Sequence, residues 1–303
     1  MKGDYRPRRS CLSVPASNPR FHAKAAESVA DEVMFDLEDS VAPALKEQAR
    51  GMVLEALKSH DYSGKTRAVR INALEGRWGR DDVQALVAGA ADLVDCLVVP
   101  KVESAEQVAF LDELLEGTEI GLELQIESAR GMLDADAICQ ASERSEALHF
   151  GPGDFGATMR FPELSIGSLG DAEGLFWHPF LVQVALAARA NGMQPIDGPY
   201  AWVRDVEGLR ESARRSARLG FDGKWALNPA QAEVLNAVYS PAQEEFDRAA
   251  AILQAYERAT EQAGSGAVML GEEMIDEASR KMALVMVRRG QALGMEARPW
   301  TPK

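Results

Sequence analysis

The sequence predicts an α/β fold: a (β/α)₈ barrel followed by a C-terminal helical extension, either a lid-like cover on the barrel's outside or an arm on a neighbouring subunit. Three observations point to it. Eight short apolar or alternating segments are separated by amphipathic stretches over about the first 240 residues, the rhythm of consecutive βα units. The turn after the first strand reads Pro15-Ala16-Ser17-Asn18-Pro19, not the Gly-rich phosphate turn that opens a doubly wound sheet. The rhythm then ends at Ser240-Pro241, where a long amphipathic segment begins. The expected division is a barrel over residues 1–239 and an extension over 240–303.

Each element has its own local signal. Ser10–Val14 is an apolar run stopped by Pro15, and Asn18-Pro19 is a helix start for Arg20–Ala30. Strands are expected at Val33–Leu37, Arg67–Ile71 and Cys96–Val99, with helices at Leu45–Lys58, Asp81–Ala90 and from the Ser104 cap to Leu115. Leu122–Ile126 alternates apolar and polar residues and predicts the fifth strand. A helix from Ser128 to about Ala141 follows, then the sixth strand, Ala147–Phe150. A helix over Ala172–Asn191, a strand at Gln194–Ile196, a helix over Asp205–Leu219, a strand at Lys224–Leu227 and a helix over Ala230–Val238 complete eight units. The tail reads as a helix over Ala242–Ala263, a break at Gly264-Ser265-Gly266, a short strand at Val268–Leu270 and a last helix over Asp276–Leu293.

Composition narrows the partners. The 303 residues are 46% apolar, enough for a sizeable core, and carry a net charge of −14. That balance argues against nucleic acid or an anionic membrane as a partner. An anionic ligand would need a local basic site. No apolar run approaches the ~20 residues that span a bilayer. Met1–Arg9 is polar and basic, without the apolar stretch of a signal peptide. Cys11, Cys96 and Cys139 are odd in number and lie in apolar segments, so they read as buried thiols of a reducing compartment. The expected location is cytoplasmic.

Chemistry in such a barrel gathers at the carboxyl ends of the strands. Those ends carry Asp36, Glu38 and Asp39 after the second strand, then Arg70 and Asn72, Lys101, Glu127, Asp154, Asp197 and Asn228 in turn. Glu127 and Asp154 each fall just past a strand, one βα unit apart. Neighbouring parallel strands are ~4.8 Å apart, so the two carboxylates can converge on one point. One or two carboxylates, with room left for waters and substrate oxygens, suit Mg²⁺. The competing interpretation is a helix-start carboxylate and a turn residue. Arg70 lies between Val69 and Ile71 and points opposite to them, into the ring of strand ends, where it could pair with a carboxylate or an anionic substrate oxygen. No Ser/His/Asp order, Cys/His pair or P-loop is evident, and the four histidines do not suggest zinc.

Eight stretches carry a family resemblance: SVPASNPRFHAKAA (13–26), DEVMFDLEDSVAPALKEQAR (31–50), AVRIN (68–72), LVVPKVES (97–104), IESARGMLDADAI (126–138), LHFGPGDFGATM (148–159), GFDGKWALNP (220–229) and GAVMLGEEMIDEASRKMA (266–283). Together they cover nearly the whole chain. It resembles the HpcH/HpaI aldolase and citrate lyase β-subunit family, and within it the CoA-ester lyases of the malyl-CoA lyase type. The resemblance implies a TIM barrel working as a homotrimer or hexamer. It implies Mg²⁺, with Mn²⁺ as the alternative, held at Glu127 and Asp154, and Arg70 beside the thioester or keto-acid oxygens. Asp36, Glu38, Asp39 and Lys101 surround them.

The resemblance also places coenzyme A along the first βα loop, with Lys24 and Arg20 near its phosphates and the loop around Asn228-Pro229 touching it partly through backbone. Many relatives have His-Pro where this chain has Asn228-Pro229, which leaves no imidazole there. In the malyl-CoA lyases the C-terminal segment of one subunit closes the next subunit's site with an acid that here falls on Asp276. The implied activity is cleavage or formation of a C–C bond in a 2-hydroxyacyl-CoA of the malyl-, β-methylmalyl- or citramalyl-CoA type, giving an acyl-CoA and glyoxylate or pyruvate. The rivals are a malyl-CoA thioesterase on the same site, an aldolase of free hydroxy acids and a citrate lyase β-like subunit serving an acyl-carrier protein.

Overall fold

Alternation decides how each strand sits. On GLELQI, Leu122, Leu124 and Ile126 are buried on one face, and Glu123, Gln125 and then Glu127 are buried on the other. Two buried faces fit a strand covered by helices outside and enclosed by its neighbours inside. The computed structural model describes residues 5–162, 166 and 175–300. In it, β1 (Ser10–Pro15), β2 (Glu32–Asp36), β3 (Thr66–Arg70), β4 (Cys96–Val99), β5 (Gly121–Ile126), β6 (Ser145–Phe150), β7 (Gln194–Asp197) and β8 (Gly223–Ala226) form a closed barrel in sequence order. Every pairing is parallel, and β8 returns to β1 through Cys11 opposite Trp225.

The helices are α1 (Pro19–Ala26), α2 (Lys46–Ser59), α3 (Gly79–Ala90), α4 (Ala105–Leu114), α5 (Ala129–Leu133), α6 (Ala135–Gln140), α7 (Pro152–Met159), α8 (His178–Ala190), α9 (Val206–Arg218) and α10 (Pro229–Tyr239). They cover a large apolar core that joins outward strand residues such as Val33, Val69, Leu97 and Leu124 to Val53, Leu111, Val184 and Leu235 of the helices. A separate cluster of Cys11, Met34, Ala68, Cys96, Val98, Ala147, Ile196 and Trp225 fills the lumen. All three cysteines are buried, and no disulfide joins them.

Local differences from the expected elements have physical reasons. The helix expected after β5 is two, α5 and α6, broken at Asp134. The Gly-Pro-Gly-Asp turn after β6 is instead the start of α7, because Pro152 presets φ at a first helical position. The expected start of the next helix, 172–174, lies outside the described residues, and α8 begins at His178.

Beside that apolar cluster, the lumen also holds buried charged groups. Arg8 is buried, and its Nε donates to Glu32 at 3.2 Å and to Glu123 at 2.8 Å. Its Nη2 meets Glu146 at 2.6 Å. One guanidinium among three carboxylates leaves negative charge in excess. Burial and the Glu123 charge push the Glu32 carboxyl well up, against the pull of Arg8. The folded state therefore holds a proton that the unfolded chain has released, and stability falls as pH rises above the ordinary carboxylate value toward the folded one. Glu32→Gln, neutral at all pH, is expected to lose less melting temperature than the wild type between pH 6 and pH 9, followed by circular dichroism. Equal losses would place the proton elsewhere.

The chain divides into two compact units, Arg8–Tyr239 and a second made of Tyr5–Pro7 with the chain from Ser240 onward. The second unit contains α11 (Gln243–Ala263), β9 (Ala267–Leu270), β10 (Glu273–Asp276) and α12 (Glu277–Ala292). Its own core joins Phe246, Ala249, Ile252, Ile275, Ala283 and Val287. A Cβ on Gly290 would come within 2.2 Å of the Phe246 ring, so glycine lets α11 and α12 approach. The tail has a second strand that was not expected. Gly271-Glu272 closes a tight antiparallel turn, and Glu273–Asp276 pairs with Ala267–Leu270. Among the described residues, no helix is long and apolar enough to cross a membrane.

Candidate active site

The strand ends of β2 to β6 bring the charged residues together. Arg70, the last residue of β3, lies opposite Asp36 on β2. Its Nε and Nη2 donate to the two Asp36 oxygens, both at 2.7 Å, a bidentate pair. Asp36 also accepts from the Glu38 amide at 2.8 Å and the Ser40 amide at 3.2 Å, which folds the loop back over the strand end. Burial alone would raise the Asp36 carboxyl, but Arg70 and these donors hold it below the usual range. Arg70 Nη1 reaches Glu38 Oε2 at 2.9 Å, and Lys101 Nζ pairs with Glu38 Oε1. Burial pushes Glu38 up despite both cations.

Lys101 follows β4 in the left-handed region, φ 53°, which costs a side-chain-bearing residue ~1–3 kcal/mol. That conformation aims its backbone N–H at Glu127 Oε1, 2.7 Å away. Gln125 Nε2 donates to the other oxygen, Oε2, at 2.5 Å. Glu127 is 3% exposed and stands one residue past β5. Asp154 is not at the equivalent place: it stands four residues past β6, in the first turn of α7, where the helix dipole favours a carboxylate. Lys101 Nζ lies 3.6 Å from both Asp154 and Asp39. A Cβ at position 151 would come within 2.6 Å of Glu127 Oε2, so only glycine lets β6 pass here. A cavity of about 330 Å³ beside Asp154 is walled by Asp39, Phe161, Ile166, Phe176 and Trp177.

These residues fit a hard divalent cation. Burial and the charges of Glu38 and Asp154 push Glu127 up to about 8, so the site is short of positive charge on the side that faces Asp154. Among the described residues no group of three or more His, Cys, Asp or Glu side chains could hold a metal. Two carboxylates with open positions suit Mg²⁺ and not a closed zinc site.

A model of the HpcH/HpaI aldolase/citrate lyase family matches residues 9–229. The chain belongs to this family. It is 37% identical over 95% of its length to the L-malyl-CoA/β-methylmalyl-CoA lyase of Cereibacter sphaeroides, covering 96% of that protein. It is 35% identical over 96% of its length to the citrate lyase β subunit of Escherichia coli, covering 95% of that protein. Among solved structures, it is similar to the CitE protein of Mycobacterium tuberculosis in complex with magnesium, acetoacetate and coenzyme A. The identity is 30% and the TM-score 0.74, over 94% of this chain and 98% of that one.

The remaining residues singled out from the sequence have other contacts. Arg20 and Lys24 lie one turn apart on the exposed side of α1, which Asn18 caps and Pro19 begins. Asn228 caps α10 by accepting from the Gln231 amide at 3.1 Å, with Pro229 as the first helical residue. This family member's asparagine thus has a local structural role that an imidazole would not reproduce in the same way. Asp197 is buried against Lys224 Nζ at 2.6 Å and does not join the ring of strand ends. Asp276 stands in the second unit as the cap of α12, accepting from the Ala278 and Ser279 amides. Those amides hold its carboxyl below the usual range.

Sequence reasoning missed the scaffold. Lys46 Nζ donates to the carbonyls of Leu37 and Glu38 and to Asn72, tying the β2 loop to the end of β3. Asp82 accepts from the amide and side chain of Asn72. The available signal was a lysine and an aspartate each at the first turn of a helix that follows a site-bearing strand.

Proposed function

We propose that the protein is a Mg²⁺-dependent CoA-ester lyase that makes or breaks a C–C bond in a 2-hydroxyacyl-CoA, releasing an acyl-CoA and glyoxylate or pyruvate. The carrying observation is that Arg70, Glu127 and Asp154 stand close enough at one mouth of the barrel for the charges of Arg70 and Asp154 both to act on Glu127. The named activities of the lyase relatives and the magnesium and coenzyme A of the CitE complex support it. Bound between Glu127 and Asp154, Mg²⁺ would act as a Lewis acid and template for the oxygens of the small keto or hydroxy acid. The cavity beside Asp154 is large enough for such an acid. Arg70 would meet the thioester oxygen as it gains charge in the enolate. Its pairing with Asp36 and Glu38 raises its affinity for its proton, so it acts as a fixed cation and not as an acid. Arg20 and Lys24 would take the phosphates of coenzyme A. Asp276 is the candidate for one of the two proton transfers, to or from the substrate hydroxyl or the enolate carbon.

The deciding assay uses purified protein, Mg²⁺ (or Mn²⁺), acetyl- or propionyl-CoA and glyoxylate or pyruvate. Condensation to a hydroxyacyl-CoA is expected, with cleavage in reverse. Malyl-CoA hydrolysed to malate and free CoA, with no acetyl-CoA formed, would make the protein a thioesterase. Reaction only with an acyl-carrier-protein thioester would make it a citrate lyase β-like subunit.

A further proposal concerns assembly. If Asp276 serves the site of a neighbouring subunit in a homotrimer or hexamer, inactive Asp276→Ala and inactive Glu127→Ala chains complement after exchange. In an equal mixture about a quarter of the sites pair an intact barrel with an intact tail. No recovery of activity, with exchange shown by mass spectrometry, would remove Asp276 from a shared site.

A further inference from the structure

The lumen holds a chain of contacts that the chemistry above does not use. Trp225 on β8 is 4% exposed, and the guanidinium carbon of Arg70 lies 5.2 Å from its ring centroid. An indole N–H can only donate, and Trp225 Nε1 donates to His149 Nδ1 at 2.7 Å. Nδ1 is therefore an acceptor, and the other ring nitrogen, Nε2, lies 2.9 Å from Glu123 Oε2. His149 and Glu123 are both fully buried, and Glu123 Oε1 accepts from Arg8 Nε at 2.8 Å. The two aromatic rings meet edge to face at 5.9 Å. The contacts thus run from Trp225, which donates to His149, on to Glu123 beside the imidazole, with Arg8 behind.

Arg70 is held in its own plane by Asp36 and Glu38. Those partners fix where its N–H groups point but leave it free to tilt. The Trp225 ring beside the guanidinium limits that tilt and adds a cation–π contact. We propose that Trp225 is a positioning residue that sets the plane of Arg70, and that His149 holds the indole in place; this presupposes that Arg70 meets the developing oxyanion.

The test compares Trp225→Phe, Trp225→Leu, His149→Gln and His149→Phe with Arg70→Lys, measuring kcat and KM for the acyl-CoA. Trp225→Leu and His149→Phe are expected to lower kcat roughly 3- to 30-fold, the span of cation–π strengths, with KM within about twofold. Trp225→Phe keeps a ring beside Arg70 and loses less. Gln offers an acceptor to the indole, so His149→Gln is expected to stay within about threefold of wild type. In an Arg70→Lys background, Trp225→Leu should cost little more, because coupled residues do not add.

A second readout needs no turnover. The Arg70 Nε–H resonance, assigned by its loss in Arg70→Lys, should shift in Trp225→Leu and His149→Phe and hold its place in His149→Gln. An unmoved resonance, full additivity, or a raised KM at constant kcat would overturn the positioning role. Arg70→Lys with wild-type kcat would instead overturn the role of Arg70 itself.

Discussion

Replacing Glu127 with alanine is expected to lower kcat by about 10³-fold or more, the scale of losing several kcal/mol of metal-derived stabilisation. The fold should survive. The carboxylate has two protein donors, the Lys101 amide and Gln125 Nε2, and stranding them costs ~1–3 kcal/mol each at most. Mn²⁺ binding, followed by electron paramagnetic resonance, should weaken in parallel with activity. Glu127→Gln is the sharper variant. It keeps the shape, but its amide sets an N–H₂ against one of the two donors and removes the charge that faces Asp154. Asp154→Ala should fall in the same range. Unchanged activity in excess chelator, or a Glu127 variant that binds Mn²⁺ normally, would separate these carboxylates from metal.

Arg70→Lys is expected to lower kcat by about 10²- to 10³-fold, the cost of losing one well-placed donor to a developing oxyanion, while KM changes little. An ammonium cannot reproduce the bidentate contact to Asp36, nor the same contact with the Trp225 ring. The charge is retained, so any loss measures geometry. The check is a kcat/KM split with the same acyl-CoA and keto acid. A raised KM at unchanged kcat would make Arg70 a ground-state anchor.

The barrel and the charged side of its mouth could be read from the sequence because both depend on local pattern. Strand ends follow apolar runs within a few residues, and Glu38, Arg70, Lys101 and Glu127 were placed by that rule alone. What could not be read depends on pairing across the closed sheet. The bond between Trp225 and His149 spans 76 positions, and the contact between Arg8 and Glu123 spans 115. Neither residue pair has a spacing that announces it. His149 in particular reads as an ordinary core histidine, and only the neighbouring strands give it partners. The position of Asp154 differs for another reason: Pro152 begins a helix there, which moves the carboxylate one turn beyond the strand end. Asp197 failed because alternation on so short a strand does not tell the inside of the barrel from the outside.

The charged groups buried in the lumen have a consequence for protein engineering. Barrel stability is commonly improved by refilling the interior with branched hydrocarbon, and here that space is already committed. Glu32, Glu123, Gln125, His149 and Trp225 form the floor on which the reactive mouth stands. Any interior redesign therefore doubles as an active-site mutation. A more heat-resistant variant should instead be sought in the layer between strands and helices, around positions such as Val53, Leu111 and Val184, or on exposed apolar side chains such as Leu133 and Leu186. Substitutions there leave the charge arrangement inside untouched.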